Sequence, residues 1–120
     1  MAVDLRPAQN HFVRQEFDVA SAYQNNELGL VVPFRDVGDT NFGTCFMKYV
    51  QYEEGAAAAD GVAGEVAYYY KLDGYKTFQV CSDASDSVVA GTVVLGAGVM
   101  HCAPANDDYL WIQITGPALL

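Results

Sequence analysis

The chain has 120 residues and a mass of 13.0 kDa, which is the size of one domain. Six basic residues against fifteen acidic ones give a formal net charge of -9, which disfavours binding to nucleic acid or to an anionic membrane face. Hydrophobic residues make up 52% of the chain, too many for a disordered acidic tail, so we expect a folded acidic domain.

The first predicted elements are β-strands. Residues 28–34 form a strand candidate in which Pro33 indicates an edge or an end. From Thr44 to Tyr52, large apolar side chains alternate on both faces, so we expect this strand to be covered on both sides. Two aromatic-rich runs flank Asp73-Gly74, which predicts a β-hairpin with a tight turn within residues 65–80.

The C-terminal part continues the strand pattern. Residues 88–100 predict two short strands joined at Gly96-Ala97-Gly98, and Tyr109 to Thr115 alternates as a last strand. Signals for helix are weak throughout, and residues 8–20 are compatible with a turn or two of helix or with an extended arm.

These elements predict an all-β fold. We expect a single-domain β-sandwich or barrel of six to eight short strands over residues 17–120, with an extended N-terminal arm at residues 1–16. Asp4 and Arg6 interrupt any apolar run at the N-terminus, so no signal peptide is expected. The longest apolar stretch, residues 88–100, is too short to span a bilayer. Because no secretory signal is expected, we expect synthesis in a reducing cytoplasm.

Cysteine and histidine are the residues most often used as nucleophile, base or metal ligand. Cys45, Cys81 and Cys102 are expected to be buried reduced thiols, because three cysteines cannot all pair within one chain. His101 and Cys102 are adjacent, so on a strand their side chains point to opposite faces and cannot chelate one ion. No spacing predicts a nucleophile–base pair or a zinc site, so we expect no enzymatic activity and no cofactor.

Two acidic loops leave calcium binding as an open alternative. Asp83 and Asp86 share one loop, Asp107 and Asp108 share another, and loops rich in carboxylates are where calcium binds. Neither loop has the D-x-D-x-D-G spacing of a dedicated site, so solvated turns are the first expectation.

Tyrosines and terminal leucines point to protein contacts. Among Tyr68, Tyr69 and Tyr70, alternation puts at least one ring on the outer face, where it suits a protein partner. Cross-strand packing within the hairpin is the alternative for these rings. Leu119 and Leu120 have no following element to cover them, which favours an assembly.

The order of motifs between residues 44 and 118 resembles a known group of proteins. The motifs are F-M-K-Y-V-Q at residues 46–51, G-E-V-A-Y-Y-Y-K-L-D-G-Y at residues 64–75, the apolar stretch at residues 88–100, and Y-L-W-I-Q-I-T-G-P-A at residues 109–118. This pattern resembles the small all-β structural proteins of tailed bacteriophages, particularly the capsid cement or decoration proteins. In that group a late aromatic-x-W-[IV]-Q-x-x-G-P strand closes the domain.

The resemblance implies a non-enzymatic virion protein that binds the exterior of the phage head and stabilises the shell. It implies the major capsid protein as a partner and a homo-oligomer, with a trimer favoured. The alternatives are a neck or tail accessory protein, and a β-sandwich module that binds a glycan or a host factor. Deletion of residues 1–16 is expected to abolish capsid binding and to leave a folded domain. The candidate capsid or subunit contacts are Leu5, Arg6, Phe12, Arg14, Tyr68, Tyr70, Leu119 and Leu120.

Overall fold

The computed structural model describes residues 4–8, 13–37, 43–54, 60–71, 74–83 and 96–115. The regular elements within these residues are β1 (Leu5–Pro7), β2 (Val31–Asp36), β3 (Thr44–Tyr52), β4 (Val66–Tyr69), a single helical turn α1 (Gly74–Thr77), β5 (Gln79–Cys81), β6 (Gly96–Met100) and β7 (Tyr109–Thr115). The fold is all-β and forms a single domain, as predicted, and its seven strands lie within the predicted range.

Five of the strands close into a barrel. β3 pairs in parallel with β5, and the antiparallel pairs β5–β4, β4–β6 and β6–β7 follow around the wall. β7 returns to pair with β3, which closes the ring. β2 pairs with the first half of β3 and β1 pairs with β2, so these two strands extend the sheet beyond the barrel.

The alternating side chains of β3 and β7 enter two separate cores. All five barrel strands contribute to the barrel core, which contains Val50, Tyr52, Ala67, Val80, Met100, Cys102, Leu110 and Ile112. The outer core lies on the other side of β3 and β7 and contains Leu5, Phe17, Val32, Phe34, Cys45, Met47, Tyr49 and Trp111. The prediction that β3 is covered on both faces is therefore confirmed for its second half.

The two strongly alternating segments have the predicted bounds. β3 covers Thr44–Tyr52 and β7 covers Tyr109–Thr115. The candidate at residues 28–34 begins later, at Val31, because Gly29 has a φ of 84° and takes part in a turn before the strand. A positive φ interrupts the extended backbone that a strand requires.

The predicted hairpin exists, but its predicted turn is wrong in the part that the structure describes. β4 and β5 pair in antiparallel fashion, as expected, with Tyr69 opposite Val80. The prediction extended the second strand over residues 75–80, whereas Gly74–Thr77 forms a helical turn and Phe78 has a φ of 59°. The carbonyl of Phe78 accepts a hydrogen bond from the amide of Gln51, so this connection is held against β3 and does not fold back tightly. Asp73 lies outside the described residues.

The prediction of a turn at Gly96-Ala97-Gly98 is also wrong. These residues belong to the continuous strand β6, which pairs with both β4 and β7. A Cβ on Gly98 would lie 2.5 Å from the carbonyl oxygen of Gln113, so glycine here allows two barrel strands to approach closely. The first of the two strands predicted in residues 88–100 falls on residues that the structure does not describe.

The described part of the N-terminal segment is packed on the barrel wall. β1 is extended, as predicted for residues 1–16, but it pairs with β2 and buries Leu5 in the outer core. Gln15 is also buried. Deletion of residues 1–16 would therefore remove side chains from the core, so a truncated chain does not test capsid binding separately from folding.

Candidate functional site

One face of the β1–β2–β3 sheet is exposed to solvent on the side opposite the outer core. Val31, Pro33 and Arg35 alternate along β2 and point to this side, and their partners on the neighbouring strands point the same way. This surface, called the basic face below, consists of Val31, Pro33 and Arg35 of β2, Arg6 of β1, and Phe46 and Lys48 of β3.

The centre of the basic face is apolar and open. Phe46 and Val31 are each 44% exposed, and Pro33, which pairs with Phe46, lies between them in the register. Exposed Arg6 and Arg35 border these apolar side chains. An exposed aromatic ring within a polar border is the arrangement found in protein–protein interfaces.

Three of the six basic side chains lie on this face of a protein whose net charge is -9. Arg6 stands directly opposite Arg35 in the register, and like charges in that position destabilise a sheet. Asp4 lies 3.2 Å from the guanidinium of Arg6, and its hydrogen bond and charge raise the pKa of Arg6. Within the described residues, no carboxylate lies within ion-pair distance of Arg35 or Lys48.

Lys48 lies where the basic face meets the mouth of the barrel. Its ammonium group donates a hydrogen bond of 2.8 Å to the Tyr69 hydroxyl. The same nitrogen lies 5.2 Å from the centre of the Tyr69 ring and 4.9 Å from the centre of the Phe78 ring. The ammonium therefore meets the Tyr69 ring at its hydroxyl edge, whereas the Phe78 ring lies at a distance from which an aromatic face attracts a cation. An ammonium has three donors, and two remain for an anionic acceptor.

The other end of β3 is acidic. The amide of Asp107 donates to the carbonyl of Tyr52 at 2.9 Å, and the amide of Tyr52 donates to the carbonyl of Asp108 at 2.7 Å. The side chain of Asn106 accepts from the amide of Glu54 at 3.1 Å, which holds the two loops together. This group, called the acidic end below, consists of Glu53, Glu54, Asp107 and Asp108.

The calcium alternative gains no site among the described residues. No group of three or more histidine, cysteine, aspartate or glutamate side chains there is arranged to hold a metal ion. Asp108 instead accepts a hydrogen bond of 3.0 Å from the amide of Ala105 and so caps its own turn. In the other loop, Asp86 lies outside the described residues.

A cleft of about 600 Å³ lies between β1 and residues 13–18. Three of the predicted contact residues, Leu5, Arg6 and Arg14, line this cleft. Leu5 is buried at its floor, whereas Arg6 and Arg14 are exposed. The structure therefore brings together three residues of the segment that the sequence analysis predicted as an extended N-terminal arm.

Tyr68 and Tyr70, the other predicted contact residues that the structure describes, do not line the cleft or the basic face. On β4, Ala67 and Tyr69 pack with the barrel core, so Tyr68 points outward and is half-buried. Tyr70 is half-buried below the ammonium of Lys71, which lies 5.2 Å from the centre of its ring. The other predicted contacts, Phe12, Leu119 and Leu120, lie outside the described residues.

The thiols and His101 are packed into the fold. Cys45, Cys81 and Cys102 are buried and reduced, as predicted. Burial raises the pKa of Cys45 to about 11 and that of Cys102 to about 12, which disfavours the nucleophilic thiolate. His101 lies with its Nε2 atom 2.8 Å from the Gln113 side-chain oxygen, beside the ring of Phe17.

Most of the basic face was missed by the sequence analysis, which selected Arg6 alone from it. Its members lie far apart in the chain and meet only through the pairing of β1, β2 and β3. The alternation of Val31, Pro33 and Arg35 was a usable signal, because it puts apolar and basic side chains on one side of a strand.

No described helix has the length and the hydropathy needed to cross a membrane. Comparison with known proteins adds no relative. No protein-family model matches the chain, and no curated protein or solved structure matches it either.

Proposed function

We propose that this protein is a non-enzymatic structural protein of a tailed-phage virion, a capsid cement protein that binds the exterior of the head and stabilises the shell. One observation carries the proposal. Residues 44–118, which carry the resemblance to cement proteins, supply all five strands of the closed barrel. The resemblance thus follows one packed unit of the fold, from β3 to the closing strand β7.

In this proposal the cleft beside β1 binds the major capsid protein. Its buried Leu5 offers an apolar floor, and the exposed Arg14 offers a guanidinium group to a carboxylate of the partner. Arg6 is held by Asp4 at 3.2 Å, and the cleft is also lined by Glu16 and Asp18. Each such contact supplies little binding free energy, but the contributions of many copies on one shell add up when the geometry allows all of them to bind at once. The net charge of -9 keeps a densely covered particle from associating with its neighbours.

The first test is the copy number of this protein relative to the major capsid protein in purified virions. Quantitative mass spectrometry is expected to give a ratio near one or a simple fraction of one. A few copies to a few dozen per particle would overturn the cement proposal in favour of a neck or tail protein. Absence from the particle would overturn the virion proposal, and a glycan array with the purified protein would then test the binding-module alternative.

The second test measures binding of the purified full-length chain to expanded heads that lack it. Arg14→Glu is expected to weaken binding at least tenfold, because it replaces a cation of the cleft by an anion. Lys71→Glu makes the same change of charge at an exposed position away from the cleft and is expected to bind as the unchanged protein does. Equal binding by both variants would exclude the cleft as the capsid contact.

A further inference from the structure

We propose that the acidic end of one copy of this protein docks on the basic face of a second copy, so that copies associate head to tail. This contact goes beyond the proposed function, because it needs no capsid and shares only Arg6 with the cleft. It assigns a partner, a second copy of this chain, to a surface that the sequence analysis did not single out.

Among the described residues, Arg6 alone of the three cations on the basic face has a carboxylate partner, Asp4 at 3.2 Å. Arg35 and Lys48 have no carboxylate within ion-pair distance among the described residues, and Arg6 faces Arg35 across the register. A like-charged pair at directly opposed positions costs stability in the isolated chain. Carboxylates supplied from outside would remove that repulsion and take up the free donors of Lys48.

The exposed apolar side chains at the centre of the basic face add a hydrophobic contribution to the electrostatic attraction. Phe46 and Val31 lie beside Pro33, and the cations stand around them. Burial of this apolar area supplies the non-directional part of the affinity, and the surrounding ion pairs fix the orientation of the partner.

The complementary surface is present on the same chain. The acidic end presents Glu53, Glu54 and the exposed Asp107 around Tyr52. Six residue steps of β3 separate Tyr52 from Phe46, which is about 20 Å along an extended strand. One copy therefore carries the two surfaces at distinct places, and a second copy can engage one of them while the other stays open.

Charge disfavours a contact between two like surfaces. Two basic faces brought together would oppose arginines to arginines, and two acidic ends would oppose carboxylates to carboxylates. A contact between unlike surfaces is attractive. Two copies can make it reciprocally about a two-fold axis, or further copies can repeat it head to tail in a ring or a filament.

The test uses two double variants of the full chain and a mixture of them. The face variant is Arg35→Gln with Phe46→Ser, and the end variant is Glu53→Gln with Glu54→Gln. Both variants neutralise charge without reversing it, so that no new attraction is created between them. Lys71→Gln, and Glu27→Gln with Glu65→Gln, are the matched controls, because they change the same types of charge at exposed positions outside the two surfaces.

Sedimentation velocity over a range of concentrations up to about 1 mM gives the mass of each sample. For the unchanged protein and the controls, the mean mass is expected to rise with concentration. Each double variant is expected to remain largely monomeric over the same range, with a dissociation constant at least tenfold higher. A mixture of the two variants is expected to form a complex with one copy of each and to stop there, because it retains a single intact pair of surfaces.

Three results would overturn the proposal. A monomer at every concentration would mean that the basic face takes a different protein. Association that persists in both double variants would mean that copies meet through other surfaces. A mixture without a complex would exclude the head-to-tail arrangement. Circular dichroism of every variant checks that the fold is kept, and Arg14→Glu, which alters the cleft alone, is expected to associate normally.

Discussion

Replacement of Gln15 by leucine is expected to destabilise the protein by about 2–4 kcal/mol, because this side chain joins the N-terminal segment to the barrel wall. Gln15 is 6% exposed. Its Nε2 atom donates to the backbone carbonyls of Val19 and Tyr109. Its Oε1 atom accepts from the Tyr49 hydroxyl and from the side-chain amide of Asn25.

The magnitude follows from what the substitution leaves behind. Leucine removes four hydrogen bonds, each with a net value of about 1 kcal/mol. The carbonyl of Tyr109 keeps the amide of Ser21 at 3.0 Å, so it is not left without a donor. The Tyr49 hydroxyl still accepts a hydrogen bond from the backbone amide of Asn25. It loses Gln15 as the acceptor of its own proton, in a buried site. Because these groups keep other hydrogen-bond partners, the loss of stability is smaller than it would be for four buried groups left without any partner.

Urea unfolding followed by the fluorescence of Trp111, the one tryptophan of the chain, measures the change. Gln24→Leu is the matched control, because Gln24 is exposed and makes one hydrogen bond of 3.0 Å to a neighbouring carbonyl. That control is expected to change stability by less than about 0.5 kcal/mol. A loss at Gln15 no larger than the loss at Gln24 would refute the argument, and a double-mutant cycle with Tyr49→Phe isolates the shared hydrogen bond.

Gly29→Ala is expected to cost about 2–4 kcal/mol in urea unfolding, since a Cβ there would combine a strained positive φ with a clash against an aromatic ring 2.5 Å away. Gly43→Ala, with the same strain and open space, should cost about 1 kcal/mol, and equal losses would rule out the clash. Gly98→Ala should lower the melting temperature by several degrees, whereas Gly96→Ala, which meets nothing within 4 Å, should change it little; the reverse order would contradict the close approach of β6 and β7. Burial raises the pKa of Cys45 from 9.0 to about 11, so its contribution to stability is complete below pH 9 and is lost as the pH rises towards 11, because the unfolded chain ionises first. Cys45→Ala should make the decline of the unfolding free energy over that interval shallower by about 1.4 kcal/mol per pH unit, and an unchanged slope would contradict the raised pKa.

The sequence was sufficient where a local pattern decides the structure. The bounds of β3 and β7 follow from the alternation of their side chains, because β7 and the second half of β3 have a core on both sides. Cys45 and Cys81 were also predicted as buried thiols from their strand context. In these cases the neighbours along the chain already determine which face each side chain takes.

Distant contacts decided the elements that the sequence analysis missed. The chain after β4 turns through α1 because Phe78 packs against Gly29, a contact between residues that no local pattern connects. Gly98 resembles a turn residue in the sequence but serves close strand packing against Gln113. The basic face depends in the same way on strand register, which alternation alone does not specify.

The position of the closing strand β7 affects how the protein folds during its synthesis on the ribosome. β7 pairs with β3 through residues such as Gln51 and Tyr109, which are 58 positions apart, and it also supplies Leu110 and Ile112 to the barrel core. Until β7 has been synthesised, β3 and β6 each lack a neighbour and the barrel stands open. We therefore expect the nascent chain to gain protease resistance in one late step, and chains that stop before β7 to pair their open strand edges with one another.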